Sequence, residues 1–271
     1  MNESIDFISV NYNSLDYAEI LVKSISKYSQ SVDIKYTYDT NIIIIDNSKY
    51  IASLEGLRFK KDLDITILKG DNNVDWTDAP SPASAAHANS IQMGIEHGTS
   101  KYICICDIDI CFLNPWIHEQ LPKLEKCGFI SHRWESDPWD QYTKQQIKDI
   151  KAAGYGHGNE RVSNIARPQF MVFKREWYEM NEFVFNARFK DTGGFLTKFC
   201  HDNKVPIGIL ANSYNNPELK QYHWFPEIKN GEQAFLDNGS PFMFHHGRGT
   251  LGPGHPNRKQ WFEVMSQYLL I

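Results

Sequence analysis

The run Asn41-Ile42-Ile43-Ile44-Ile45 constrains the fold more than any other feature of this chain. Consecutive β-branched side chains are stiff and favour extended backbone. A run without polar alternation belongs to a strand covered on both faces, as in a parallel sheet with helices on either side. The turn formers Asp46-Asn47-Ser48 end it. Phe7 to Asn11, Asp64 to Leu68 and Lys101 to Cys106 read as further strands. Between them, Leu15 to Tyr28 spaces Ile20, Leu21, Ile25 and Tyr28 as one helical face, with Asn13 or Ser14 as its cap. Ser84 to His97 reads as a second helix. The order β-α-β-(α)-β-α-β predicts an α/β chain with a mostly parallel sheet flanked by helices.

The back half is less regular. Thr143 to Ala153, Arg175 to Met180, Gly193 to His201 and Gln260 to Leu270 read as helices, and Phe170 to Phe173 and Val205 to Leu210 as strands. No repeat or linker interrupts the 271 residues, a length that suits one large domain, 1–271. In open α/β sheets, ligands bind beyond the carboxyl ends of the strands. Asn11-Tyr12-Asn13, Asp46-Asn47-Ser48 and Asp107-Ile108-Asp109 all fall at such ends.

Asp107-Ile108-Asp109 follows a buried strand directly, so both carboxylates can reach one hard divalent cation. Mg²⁺ and Mn²⁺ prefer oxygen ligands and are commonly shared with substrate phosphates. A turn cap and a solvated carboxylate would account for the tripeptide alone. The net charge of −5 and the lack of a dense basic run argue against nucleic acid as the main ligand. The five cysteines, Cys104, Cys106, Cys111, Cys127 and Cys200, do not form the separated pairs of a zinc site and read as reduced thiols. The first residues offer no basic leader, and no stretch approaches the ~20 apolar residues of a membrane span. A cytoplasmic protein is expected.

Ser84 to Gly94 followed by Lys101 to Asp109 resembles the inverting GT-A glycosyltransferases of the family-2 and rhamnosyltransferase-like kind. Val10-Asn11-Tyr12-Asn13 and Ile42 to Ser48 resemble the first two strand ends of that family. Phe170 to Glu176, with its paired Lys174 and Arg175, and the stretch from Phe183 to Ser213 continue the likeness, over about residues 5 to 250. The resemblance implies a GT-A, Rossmann-like fold with a nucleotide-binding half, 1–115, and an acceptor or catalytic half, 116–271. It implies a nucleoside-diphosphate sugar as donor and Mn²⁺ or Mg²⁺ as cofactor. Asn11, Tyr12, Asp46 and Asn89 would shape the donor pocket, with Asp107 and Asp109 on the metal.

The family carries Glu-Asp where this chain has Lys190-Asp191. Asp191 is the candidate general base, with helix capping as its other reading, and Glu232 is the second candidate. Phe242 to Thr250 holds His245, His246, Gly247, Arg248 and Gly249 in the place of a late metal-binding histidine. Adjacent strand residues point to opposite faces, so one of His245 and His246 should reach the metal, with His245 favoured. Arg248 could clamp a diphosphate. Leu251 to Arg258 reads as a closing loop or a plain surface loop, and His132 to Asp140, with two Trp, as a sugar-stacking or anchoring segment. Trp261 to Leu270 should pack on its own domain. The expected activity is metal-dependent sugar transfer to an acceptor hydroxyl on a glycan, a small molecule, a protein or a modified phage DNA base. The rivals are a nucleotidyltransferase and a non-catalytic nucleotide- or sugar-binding module.

Overall fold

The computed structural model describes residues 3–28, 38–48, 54, 57, 63–70, 82–132, 134–135, 165–166, 168–185, 194–228, 231–247 and 258–270. In chain order these hold β1 (Glu3–Asn11), α1 (Leu15–Tyr28), β2 (Tyr38–Asp46), β3 (Asp64–Lys69), α2 (Pro82–His97), β4 (Tyr102–Cys106), β5 (Ile110–Phe112) and α3 (Ile117–Gln120). Then follow β6 (Phe129–Ser131), β7 (Trp134–Glu135), β8 (Ile165–Ala166), β9 (Phe170–Lys174), α4 (Arg175–Met180) and α5 (Gly194–Asp202). The last elements are β10 (Ile207–Ile209), β11 (Ala211–Asn212), β12 (Glu232–Phe235), β13 (Pro241–His245) and α6 (Arg258–Leu270). The helix expected at Thr143 to Ala153 lies outside the described residues.

Seven strands form the main sheet in the order β10-β6-β9-β4-β1-β2-β3. The isoleucine run sits where its pattern requires, with β1 and β3 parallel on either side and Ile42, Ile44 and Ile45 without exposed surface. The sheet is mixed because β9 runs antiparallel between β4 and β6. A second sheet, β11-β12-β13-β5, is antiparallel. The sequence gives little sign of it, since its strands are short and pair across long separations.

Helix α1 buries Tyr17, Ala18, Leu21 and Ile25, a stripe at helical spacing, and packs on β5 and α6. Its first intrahelical bond runs from Ala18 N to Ser14 O at 3.1 Å, which puts Ser14 at the cap position. Asn13 instead turns the chain, with φ 52° in the left-handed region that asparagine tolerates. Helix α2 approaches β1 and β2 closely at Gly94, where an added Cβ would lie 2.5 Å from Ile8 and 2.9 Å from Ile45. Helix α6 packs on α1 through the buried Trp261 and Met265, with Tyr17 and Trp261 ring centroids 5.1 Å apart.

The amino rim of the sheet is closed by a buried ion pair. Arg175 Nη2 lies 3.0 Å from Asp6 Oδ2, while Nη1 donates to Ile95 O at 2.9 Å and Nε to Ser100 O at 2.8 Å. Asp6 also accepts Ser100 N at 2.9 Å, Ser100 Oγ at 2.6 Å and Asn41 Nδ2 at 3.0 Å. One guanidinium thus ties β1, α2 and α4 together. Arg175→Ala should lower stability by about 3 kcal/mol, because it removes the cation paired with a buried carboxylate while three other donors to Asp6 remain. Urea unfolding checks this, with a lower midpoint at an unchanged slope.

Candidate active site

The chain leaves the main sheet at Cys106 and enters the small sheet at Ile110. The residues between form a tight turn closed by Ile110 N donating to Asp107 O at 3.2 Å. Asp107 N donates to Gln169 O at 2.8 Å, which pins the turn to the entry of β9. Ile108 is buried, so the flanking carboxylates are held toward one another. The Asp109 side chain keeps 6% of its surface exposed and that of Asp107 keeps 27%, so the pair opens to solvent on the Asp107 side.

Strand β13 brings a histidine to this turn. His245 pairs with Ile110 in the β13–β5 ladder, next to Asp109. Its Nε2 lies 3.2 Å from Asp109 Oδ1 and 3.5 Å from Asp107 Oδ2. Among the described residues, two overlapping groups bring metal-ligand atoms within 4.8 Å of one another: Asp107, Asp109 and His245, and His132, Glu232 and His245. Burial alone would depress the basicity of His245. Asp109, Asp107 and Glu232 outweigh that and hold its pKa well above the usual histidine range.

His246 does not join either group. It faces the other side of the strand end, with Nδ1 2.7 Å from the Tyr17 hydroxyl and its ring tilted against Trp261. Among the described residues the structure does not bring it together with the two aspartates: alternation along the strand sends it to the α1–α6 interface. Its backbone still serves the turn, since His246 N donates to Asp109 O at 3.0 Å. Gly247 follows with φ 69°, a left-handed turn that suits glycine. Burial, then the Asp109 charge, push the Tyr17 phenol well above its ordinary pKa, so it stays a neutral hydrogen-bonding group.

Asn11 and Asp46 are buried side by side at the ends of β1 and β2. Asn11 Nδ2 donates to Asp46 Oδ1 at 2.9 Å and to Ser48 Oγ at 3.2 Å, and Ser48 N donates to Asp46 Oδ1 at 3.0 Å. Asp46 Oδ2 is buried with no hydrogen-bond partner among the described residues. Tyr12 stands exposed at the rim, and Asn89 is half-buried on α2. Asp191, Arg248 and residues 251–257 lie outside the described residues, as does most of the Trp-rich segment.

Two histidines near the turn, one within Ser84 to Gly94 and one at the start of the Trp-rich segment, are given no role of their own by the sequence. His87 on α2 puts Nε2 3.8 Å from Asp107 Oδ1. The buried His132 puts Nε2 3.7 Å from Glu232 Oε2. A lone histidine in a helix of small residues, or at a short strand end, carries no local signal of a site. The five cysteines form no disulfide, and no helix among the described residues is long and apolar enough to cross a membrane.

No family model matches the chain, and no curated protein matches it in sequence. Solved structures do match in fold. The galactosyltransferase LgtC, in complex with donor and acceptor sugar analogs, aligns at TM-score 0.52 and 11% identity over 97% of this chain and 95% of its own. The glycosyltransferase GlyE of Streptococcus pneumoniae TIGR4 aligns at 0.52 and 10% identity, over 99% of this chain and 63% of its own. The mannosyltransferase PcManGT of Pyrobaculum calidifontis, in complex with GDP-Man and Mn2+, aligns at 0.49 and 12% identity, over 77% of this chain and 55% of its own. The chain thus spans little more than half of PcManGT and less than two thirds of GlyE. The architecture, a mixed and mostly parallel seven-stranded sheet flanked by helices, is the GT-A fold.

Tyr17→Phe deletes one buried hydrogen bond beneath the Asp107–Asp109 turn and should cost about 1 kcal/mol. Urea denaturation of the two proteins side by side measures it.

Proposed function

We propose that this chain is a glycosyltransferase that moves a sugar from a nucleoside-diphosphate sugar to an acceptor hydroxyl, with a divalent cation held by Asp107, Asp109 and His245. The observation that carries the reading is the convergence of these three side chains at the carboxyl rim of a GT-A sheet. The donor set fits Mn²⁺ or Mg²⁺. Two ligands at right angles on such an ion lie about 3 Å apart. The Nε2 separations of 3.2 Å and 3.5 Å match that with little movement. Bound there, the ion would act as a Lewis acid on the diphosphate leaving group.

The chain's own residues supply the rest. Asp107, the more open carboxylate, faces the donor side, while Asp109 and His245 are fixed by burial and by the two ladders behind them. Asp46 Oδ2, buried and short of a partner among the described residues, suits a hydroxyl or N–H donor of the nucleoside. Asn11 holds Asp46 in place, and Tyr12 and Asn89 would shape the donor pocket with them. Arg248 would hold the diphosphate, and His246 supports the turn from behind. LgtC, which spans this chain nearly end to end in alignment, was solved with donor and acceptor sugar analogs, which supports a two-substrate cleft here. Transfer with inversion requires a base on the acceptor hydroxyl, and Asp191 is assigned that role, with Glu232 as the second candidate.

A nucleotidyltransferase would use the backbone N–H groups after the first strand to cradle a triphosphate. Here Asn13 N donates to Ser48 Oγ at 2.7 Å and Ser14 N to Asn11 Oδ1 at 3.2 Å, so two of those donors are already engaged. The acceptor is an open class: glycan, small molecule, protein or modified nucleobase.

Calorimetry with UDP-, GDP-, dTDP- and CMP-sugars, each with Mn²⁺ and then with EDTA, should show metal-dependent binding of one donor that Asp109→Asn abolishes. Failure of every donor to bind the folded protein would sink the proposal. Asp191→Asn should lower turnover by about 10²–10⁴-fold with donor binding retained. Proton NMR of the product anomer reports whether transfer inverts.

A further inference from the structure

Glu232 and His245 stand directly opposite one another in the β12–β13 ladder. Directly opposed residues of an antiparallel pair project to the same face. The other neighbour of β13 is β5, where Ile110 opposes His245 and leads back to Asp109. The imidazole is therefore set between acids on two sides by strand register. Nε2 faces Asp109 and Asp107, and Nδ1 faces Glu232 Oε2 at 3.8 Å. The same Glu232 oxygen lies 3.7 Å from Nε2 of His132, whose ring stands edge-on to that of His245 at 5.7 Å. His132 is itself tied down, since Asn212 Nδ2 donates to its carbonyl.

A neutral imidazole that gives one nitrogen to a cation carries its proton on the other. The nitrogen facing Asp107 and Asp109 is Nε2, so the metal-competent form of His245 is protonated at Nδ1. A carboxylate 3.8 Å from Nδ1 in a buried setting favours that tautomer by charge and resists rotation of the ring. We propose that Glu232, steadied by His132, is a positioning residue that presents His245 Nε2 to the divalent cation. This rests on the metal site of the proposed function and gives Glu232 a task distinct from taking the acceptor's proton. A base acts on turnover and leaves ion affinity intact. An orienting carboxylate acts on ion affinity first.

Manganese titration of the full chain, followed by the electron paramagnetic resonance signal of free Mn²⁺, tests the proposal alongside thermal melts of each variant. The parent chain should bind one equivalent, and Asp109→Asn should bind none. Glu232→Ala should bind about 10–100-fold more weakly, the usual loss for an outer partner of a ligating histidine. Glu232→Gln, whose carboxamide oxygen can still accept from Nδ1, should fall between Glu232→Ala and the parent. Parent-like affinity in a folded Glu232→Ala protein overturns the proposal and leaves the metal site standing. A second equivalent lost on His132→Ala also overturns it, because Glu232 would then be a ligand. Absence of Mn²⁺ binding to the parent overturns the metal site itself. A second measurement covers the case in which Glu232→Ala does not fold. Long-range proton–nitrogen correlation of the parent with saturating Mg²⁺ should show His245 protonated at Nδ1, and protonation at Nε2 overturns the proposal.

Discussion

The short turn between β4 and β5 joins the two sheets of this protein, and the candidate site takes its geometry from that junction. Strand β4 ends at Cys106 in the large sheet, and β5 begins at Ile110 in the small one. The residues between cannot drift, because three backbone bonds fix them from different directions. Asp107 N reaches Gln169 O, Ile110 N reaches Asp107 O, and His246 N reaches Asp109 O. A further bond, Leu113 N to Phe242 O at 2.7 Å, keeps β5 and β13 side by side beyond the turn. Backbone hydrogen bonds thus place two carboxylates and one imidazole, and burial of Ile108, Asp109 and His245 backs them. Such constraints leave little positional slack, which is what a site must have to hold reacting groups.

Burial then makes the junction chemically unusual. Asp109 and His245 have almost no exposed surface, and Asp107 has about a quarter of its own. Gathering acids where water is scarce costs free energy unless positive charge joins them. In the protein alone, the raised basicity of His245 supplies one such charge, against the opposing effect of its own burial. A divalent cation in the same place offsets more, and it requires the imidazole to give up the proton on Nε2. The arrangement is therefore expensive as pure structure and sensible as a binding site.

Most of the large sheet was legible in the sequence because its signal is local, the exception being the three-residue β6. Four consecutive isoleucines, a helix with Ile20, Leu21 and Ile25 on one face, and a pair of aspartates after a buried run each speak within a window of a few residues. The small sheet was not, because Glu232–Phe235 is four residues long and gains its identity from pairing with Ala211–Asn212 and Pro241–His245. Glu232 could be named from sequence as a titratable residue, but its place opposite His245 is a matter of register. The adjacent histidines show the same boundary. Alternation along a strand requires that they part company, and only the packing of α6 on α1 decides which one meets Tyr17. Arg175, half of a basic pair in the family resemblance, proves to be the clamp of the opposite rim, a role set by the distant Asp6.

That opposite rim gives a standard for judging the functional one. Asp6 and Asp46 are buried to the same degree, one toward each end of neighbouring parallel strands. Asp6 receives four donors, from Ser100 N, Ser100 Oγ, Asn41 and Arg175, which use both of its oxygens. Among the described residues Asp46 receives two, from Asn11 and Ser48, and both go to Oδ1. Buried carboxylate oxygens are ordinarily satisfied, and where a fold saturates one aspartate and leaves its counterpart short, the shortfall marks the face where a partner from outside belongs. Asp46 lies on the same rim as the Asp107–Asp109 turn. The unequal treatment of two equally buried acids among the described residues therefore supports the proposed placement of the donor at that rim, independently of any metal.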